Sequence, residues 1–281
     1  MINIENDIHV NDIYTFLLKK VYTKGNIIKT RQSEVYRNLF LPNIVFNATP
    51  LVTKKKTAYK KALEEFNWFL GGKQECPQNL QDWWYGQLNA EGKYLCGYGE
   101  QLRRFSYFDG EEYRFFDQIS HLIETLRSHP YSRRNIISTW NSGEMANITR
   151  INQNPNTPTT CHNTVTQFFV EDGNLIVRTY QRSCDMILGV PHNWIQMWGF
   201  MLWICHMTGL NMGKLIWMFG DAHIYNHPSH IEVLDDILNK SCENKNLNLI
   251  YEPSSQEFDH NDFRLDGEIP EPVTKKRALL I

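Results

Sequence analysis

The chain has no excess of either charge. Its 29 Lys and Arg stand against 31 Asp and Glu, a formal net charge of −2. Nothing in the bulk electrostatics therefore calls for a nucleic acid or an anionic membrane as partner. The six cysteines (76, 96, 161, 184, 205 and 242) include no CxxC pair. That spacing excludes a disulfide framework and a zinc site and points to a reducing compartment. Long hydrophobic runs are lacking too. The most apolar window, Trp194 to Met207, carries Gln196 and His206 and is too short to span a bilayer. The opening MINIENDIHV has no basic stretch followed by an apolar one. No signal peptide is expected, and the cytoplasm (the host's, if the chain is viral) is the expected location. No repeat or low-complexity linker divides the 281 residues, so one domain over 1–281 is the economical reading. What the chain has in plenty is aromatic rings, with eight Trp, fifteen Phe and thirteen Tyr, enough for a large aromatic core.

Periodicity places the elements. Ile13, Phe16, Leu17 and Val21 form one stripe of a helix over 9–24, ended by Lys24-Gly25-Asn26. The β-branched and aromatic stretch from Ile27 to Lys56 reads as strands with polar turns, Arg31 lying in one of them. By itself such an arginine reads as a solvated surface charge. Tyr59, Leu63, Phe66 and Leu70 recur at helical spacing over 55–70, and Gly71-Gly72 stops that helix. Glu65 falls beside Phe66 and Trp68, so it is either an exposed carboxylate or a partly buried acid with a raised pKa. The stretch 73–115 has little period and reads as a pocket wall or irregular chain. A helix is expected over 113–128. Arg133 and Arg134 then open a strand-like NIISTW, where they can clamp a phosphate or face water. The Asn-rich 141–160 reads as a long loop.

The chain's chemistry concentrates between Pro158 and Asn193. Cys161 stands next to His162, and apolar alternating runs flank Glu171-Asp172-Gly173-Asn174, a strong hairpin signal. The return strand ends in Tyr180-Gln181-Arg182-Ser183-Cys184-Asp185, and a Leu188-Gly189-Val190-Pro191 turn leads to Asn193. One cleft can thus receive a thiol, a guanidinium, a hydroxyl, a carboxylate and a carboxamide. That set suits a nucleophile beside an anion site and a polar reader of a ring. A buried helix over 194–207 and a strand over 214–219 follow, with His223 and Tyr225 two apart and so on one face if extended.

With these pieces placed, the chain resembles thymidylate synthase from about Arg31 to its end. The resemblance rests on YQRSCD at 180–185 with Asn193 in LGVPHN, on Cys161-His162, and on GDAHIY at 220–225. It rests also on SRR at 132–134 followed by TWN, on EEFNWFLGG at 64–72, on PLVTKKK at 50–56, and on Gly267 before the terminal Ile281. Each alone is a weak match; their shared order is what carries it. The resemblance implies an α+β fold of the thymidylate synthase type, a mixed twisted β-sheet covered by helices, with a sheet face as the interface of a homodimer. It implies dUMP as substrate, 5,10-methylenetetrahydrofolate as one-carbon donor, and no metal. By motif position Arg31, Arg182 and Ser183 would hold the phosphate, with Arg133 and Arg134 reaching over from a second subunit. Cys161 would add to C6 of the ring, and Asn193 would read its O4 and N3–H edge. Glu65, Tyr98 and His162 would manage water and protons, and Gln181 and Asp185 would border the nucleotide. His223 and Tyr225 would hold the sugar hydroxyl. Lys55, Trp84, Asp185, Gly189 and Ile281 would contact the folate.

The chain also departs from the family. Gln32-Ser33-Glu34-Val35 replaces a Thr/Gly-rich loop, Thr160 stands where proline is usual, and the stretch from Trp140 to Cys161 is longer than in bacterial enzymes. One extra residue between Cys161 and Gln167 calls for a bulge after the nucleophile; otherwise His162 takes its register. Asn163-Thr164-Val165 resembles phage deoxycytidylate hydroxymethylases, relatives on the same fold, so hydroxymethylation of dUMP, or less so of dCMP, is the alternative reaction. A non-catalytic nucleotide- or RNA-binding homologue and a cysteine hydrolase are the readings from other classes. Against the hydrolase, neighbours on a strand point to opposite faces, which separates Cys161 from His162.

Overall fold

The computed structural model describes residues 8–30, 32–276 and 278. The elements run α1 (Val10–Lys24), β1 (Asn26–Lys29), β2 (Glu34–Asn38), β3 (Ile44–Phe46) and α2 (Tyr59–Leu70). Next come α3 (Tyr98–Arg103), β4 (Phe105–Phe108), β5 (Tyr113–Phe116), α4 (Gln118–Ser128), β6 (Ile136–Ile137) and α5 (Ser142–Ile151). The last are β7 (Val165–Glu171), β8 (Asn174–Asp185), α6 (Gly189–Thr208), β9 (Asn211–Tyr225), α7 (Pro228–Asn239), β10 (Leu249–Tyr251) and β11 (Phe263–Leu265). Seven strands make one mixed sheet in the order β1-β2-β9-β8-β7-β6, with β3 also on β9. Only β8 and β9 pair in parallel; every other pairing in the sheet is antiparallel.

The β7–β8 hairpin turns where the Asp-Gly signal lies. Asp172 and Gly173 both take positive φ, 49° and 75°, the left-handed pair that a two-residue hairpin turn requires. The parallel β8–β9 pair needs a long crossover, and α6 supplies it. That helix is apolar on nearly every side, so it has no exposed stripe and buries Trp194, Ile195, Phe200, Met201 and Ile204. Gly199 lets α2 approach: a Cβ there would stand 2.6 Å from Leu63 Cδ2. Trp194 and Trp217 are fully buried between helices and sheet, and truncating either to Ala would cost roughly 3–5 kcal/mol.

The sheet's other face is less covered among the described residues. Register puts Val165, Tyr180 and Met218 side by side, then Gln167, Arg178 and Ile216, then Phe169 and Ile176. These positions are half-buried or exposed, while their strand neighbours Thr166, Phe168, Leu175, Val177 and Trp217 are buried. The sheet is therefore apolar in part on both faces.

Several sequence expectations are corrected. The expected loop over 141–160 contains α5, capped by Asn141, which accepts from the Glu144 amide. Residues 113–116 are strand β5, paired with β4, and α4 starts only after Asp117, whose carboxylate accepts from the amides of Ile119 and Ser120. The helix expected from 55 begins at Tyr59, and Lys54 and Lys55 before it are buried and outside the helix. Tyr98 opens a short helix in the stretch that showed no period. The turn expected at 188–191 is already the start of α6, and β9 continues through His223 to Tyr225. In α1 the buried stripe is Ile13, Tyr14, Leu17, Leu18 and Val21, and Phe16 faces outward. No helix among the described residues is long and apolar enough to cross a membrane.

Candidate active site

The polar groups gather where β8 leaves the sheet and α6 begins. Asp185 Oδ1 accepts the amides of Ile187 at 2.9 Å and Leu188 at 3.0 Å, which turns the chain into the helix. Gly189 is the first helical residue, and a side chain there would start 3.4 Å from Asn193 Oδ1. Asn193 and Gln196 follow three residues apart on one face of α6.

Cys161 stands just before β7 across from Arg182. An unbroken ladder continuing the Val165–Tyr180 pair would set Asn163 opposite Arg182. Instead the Arg182 amide donates to the Cys161 carbonyl at 2.8 Å, and Asn163 takes a φ of 53°. The chain bulges there. Cys161 is half-buried, and its Sγ lies 3.1 Å from Tyr98 Oη. Burial pushes the thiol up; the Tyr98 hydroxyl and the Arg182 charge pull it back, and the Glu65 carboxylate adds to the rise. His162 is buried, its ring stacked on Tyr98 with centroids 4.5 Å apart. Burial lowers its pKa to about 3, so it is neutral at physiological pH.

Arg182 is drawn toward Cys161 by two further partners. Its Nε donates to the Thr160 carbonyl at 3.2 Å and an Nη to Thr159 Oγ1 at 2.7 Å. The guanidinium also lies 5.1 Å from the centre of the Trp140 ring. Ser183 is next on β8, opposite Asp221 of β9.

A row of carboxamides connects these groups to Glu65. Gln181 Nε2 donates to Asn193 Oδ1 at 3.0 Å, and Asn193 Nδ2 donates to Gln196 Oε1 at 3.1 Å. Gln196 Nε2 then donates to Glu65 Oε2 at 2.7 Å, and Trp84 Nε1 donates to Glu65 Oε1 at 2.7 Å. Burial raises the Glu65 pKa to about 7 against the pull of these two hydrogen bonds. The acid thus changes charge near neutrality.

At the end of β9, His223 Nδ1 lies 3.0 Å from the Asp221 carbonyl and 3.2 Å from its carboxylate. Burial opposes the charge on His223, but Asp221 and Asp185 outweigh it and its pKa rises. Tyr225 stacks edge-on against His223 and donates to Gln32 Oε1 at 3.1 Å. The turn holding Gln32 is thereby tied to the site. Asp185 resists ionisation through burial, but hydrogen bonding and the nearby His223 and His230 keep its pKa low.

Beside the N-terminus of α6 runs a groove of about 340 Å³ lined by Lys55, Lys56, Lys60 and Lys61 with Ile269 and Pro272. Lys55 is buried, its Nζ donating to the Ile187 carbonyl at 2.8 Å, and burial lowers its pKa to about 8. Trp84 faces Glu65 rather than this groove. Its neighbour Trp83 packs on His192 with centroids 5.0 Å apart, and Lys61 lies over its ring.

Not every expected residue joins the cluster. Arg133 and Arg134 are exposed in the turn before β6. Arg31 and Ile281 lie outside the described residues. Gln196, Trp83, His192, Thr159 and Trp140 were not singled out from the sequence. Only Gln196 carried a signal there, as a polar residue in an otherwise apolar helix. Among the described residues no cluster of His, Cys, Asp and Glu is arranged to hold a metal.

The described residues thus place a thiol, an arginine and a row of carboxamides where a strand of the mixed sheet passes into its buried crossover helix. The family model described as thymidylate synthase matches residues 12–278. A thymidylate synthase of Brachyspira hyodysenteriae is 34% identical over 276 residues, covering 93% of this chain and 97% of the relative. One of Corynebacterium aurimucosum is 32% identical over 272 residues, covering 94% and 96%. A third, of Buchnera aphidicola, is 32% identical over 270 residues, covering 93% and 97%. The chain belongs to the thymidylate synthase family.

Proposed function

We propose that this chain, acting as one catalytic domain, converts dUMP to dTMP by methylating C5 of the uracil ring. The observation that carries the reading is the carboxamide row, which ends at an acid with a pKa of about 7 and holds Asn193 by both of its polar atoms. Cys161 adds to C6, and the electron pair moves to the C5–C4–O4 enolate. Tyr98 donates to the sulfur and favours the thiolate. Asn193 offers one donor and one acceptor to O4 and N3–H. Glu65, through water, holds or moves a proton at O4 and C5, and Trp84 acts by holding Glu65. His162, neutral and buried, supports Tyr98 from behind.

The phosphate falls to Arg182 and Ser183, joined by Arg31 and, from a second subunit, by Arg133 and Arg134; Arg forks match phosphate oxygens in shape and charge. Gln181 and Asp185 border the nucleotide, and His223 and Tyr225 take the sugar hydroxyl. The half-exposed apolar rows on the outer face of the sheet support a homodimer that covers them. The folate fits the remaining features. Trp83 and His192 offer aromatic surface for its aryl ring, Asp185 and Gly189 border the entrance, and the lysine-lined groove suits its carboxylate tail. When bound, methylenetetrahydrofolate supplies both the carbon and the hydride. The Ile281 end would close over it and exclude water.

A second reading is hydroxymethylation at the same carbon, in which water rather than hydride completes the product. It is favoured by the extra length before Cys161, which folds as α5. Incubation with dUMP and methylenetetrahydrofolate separates the two. Methylation gives dTMP by mass and dihydrofolate by absorbance, the expected result. Hydroxymethyl-dUMP with no dihydrofolate would establish the second reading. Cys161→Ser should bind dUMP yet lose turnover by at least about 10³-fold; near-normal turnover would rule out the thiol as nucleophile.

A further inference from the structure

A carboxamide has nearly the same shape with its oxygen and nitrogen exchanged, so its sense must come from its partners. In this site two backbone carbonyls decide it. Gln196 Nε2 donates to the Ala62 carbonyl at 2.9 Å as well as to Glu65. A carbonyl only accepts, so the nitrogen of Gln196 must face α2 and its oxygen must face Asn193. At the other end Gln181 Nε2 donates to the Ser183 carbonyl at 3.0 Å and to Asn193 Oδ1. Its nitrogen must likewise face Asn193. Asn193 is therefore enclosed between an acceptor and a donor. Turning it over would set oxygen against oxygen at Gln196 and N–H against N–H at Gln181. Asn193 and Gln196 are buried, with 7% and 1% exposure, and Gln181 has 1%, so water cannot readily mend such a mismatch.

We infer that Gln196 is a positioning residue that sets which pyrimidine this site accepts, by locking the sense of the Asn193 carboxamide against the Ala62 carbonyl. The inference rests on the dUMP reading above. Uracil shows an acceptor at O4 and a donor at N3. Cytosine shows a donor at N4 and an acceptor at N3. The two rings require opposite senses of one carboxamide. An Asn193 free to turn would serve both; an Asn193 held from α2 serves one. Glu65 strengthens the lock, because its carboxylate offers a second acceptor to the same Gln196 nitrogen.

The test is equilibrium binding of dUMP and dCMP by titration calorimetry, without folate, to the full chain and to Gln196 variants. The parent is expected to prefer dUMP. Gln196→Met keeps the volume and removes both polar atoms. It should narrow the dUMP-to-dCMP ratio about tenfold, the worth of roughly one net hydrogen bond, chiefly by improving dCMP binding. Gln196→Glu at pH 6, where burial keeps the new acid protonated, can still donate to Ala62 and accept from Asn193, and should hold the parent's ratio. If the methionine variant does not fold, Gln196→Ser, too short to reach both partners, carries the same expectation of a narrowed ratio. A folded Met or Ser variant that keeps the parent's ratio overturns the inference, since a residue that only packs the helix would weaken both nucleotides alike. A parent that binds neither nucleotide overturns the functional reading instead.

Discussion

The hydroxyl of Tyr98 accepts the Cys161 amide at 2.7 Å and lies 3.1 Å from the Cys161 sulfur. Toward an ionised sulfur only the hydroxyl can donate, so the contact favours the thiolate. The tyrosine thus fixes the backbone of the thiol and stabilises its ionised form, against the burial that raises its pKa. His162 stacks on the face of the same ring. The irregular chain at 161–162 therefore grips Tyr98 by its hydroxyl and by its face.

Tyr98→Phe should slow alkylation of Cys161 by iodoacetamide about tenfold at pH 8. Removing the donor pushes the thiol's pKa up further, and a thiol whose pKa is higher by about one holds about a tenth of the thiolate. The rate should recover as pH is raised above the new pKa. An unchanged rate–pH curve would show that the hydroxyl proton points away from sulfur.

Asn193→Asp should move the kcat/KM ratio from dUMP toward dCMP by more than about tenfold. Gln181 still donates to one carboxyl oxygen. The oxygen that replaces the amide nitrogen can accept from cytosine N4–H, and the single proton of the neutral acid is available to cytosine N3. Equal treatment of both nucleotides by parent and variant would remove Asn193 from ring recognition.

A chain with Arg133→Ala and Arg134→Ala, mixed with a Cys161→Ser chain, should regain activity that neither has alone. Half of the hybrid sites would be unmutated if the arginines cross to a partner. Their exposed position before β6 permits this reach. Heterodimers that form but stay inactive would confine the arginines to their own subunit.

His162→Phe should flatten the acid limb of the stability curve. Burial depresses the His162 pKa to about 3 in the folded protein, against roughly 6.5 when unfolded. The unfolded chain therefore binds this proton first as pH falls below about 6.5, and folding is progressively disfavoured down to the folded pKa. At pH 4.5 the span from about 6.5 down to 4.5 amounts to about 2.7 kcal/mol. Urea unfolding at pH 7.5 and 4.5 measures it: the drop in stability should be smaller in the variant by about that amount. An equal drop in both proteins would mean that His162 is protonated in the fold.

Much of the frame is local and so was legible in the chain. The Asp172-Gly173 hairpin follows from two residues that tolerate positive φ. The buried faces of α1 and α2 follow largely from period, and α6 announces itself by apolar residues on all sides. The same quality hid its function, because a helix without a polar stripe gives no face on which to place Gln196. The helix α5 was hidden for a different reason. Its sequence is polar and rich in Asn, and its burial rests on just Met145 and Ile148, with Asn152 bonded to Leu95 far along the chain.

What the sequence by itself determined is the inventory and order of chemical groups: a thiol before a strand, Arg182 to Asp185 at its return, and Asn193 in the helix after it. Residue type and neighbouring chain suffice for that. Only the tertiary structure decided their senses and partners. Trp84 turns in to Glu65 while Trp83 turns out to His192, and Lys55 spends its charge on the Ile187 carbonyl while Lys56 and Lys60 stay exposed. Most of these outcomes depend on contacts between residues more than a hundred positions apart, such as Lys55 with Ile187 and Trp83 with His192, and even Trp84 reaches Glu65 from another element. No local propensity encodes which of two adjacent side chains meets a carbonyl delivered by another element, since packing and the need to satisfy buried polar atoms settle it together.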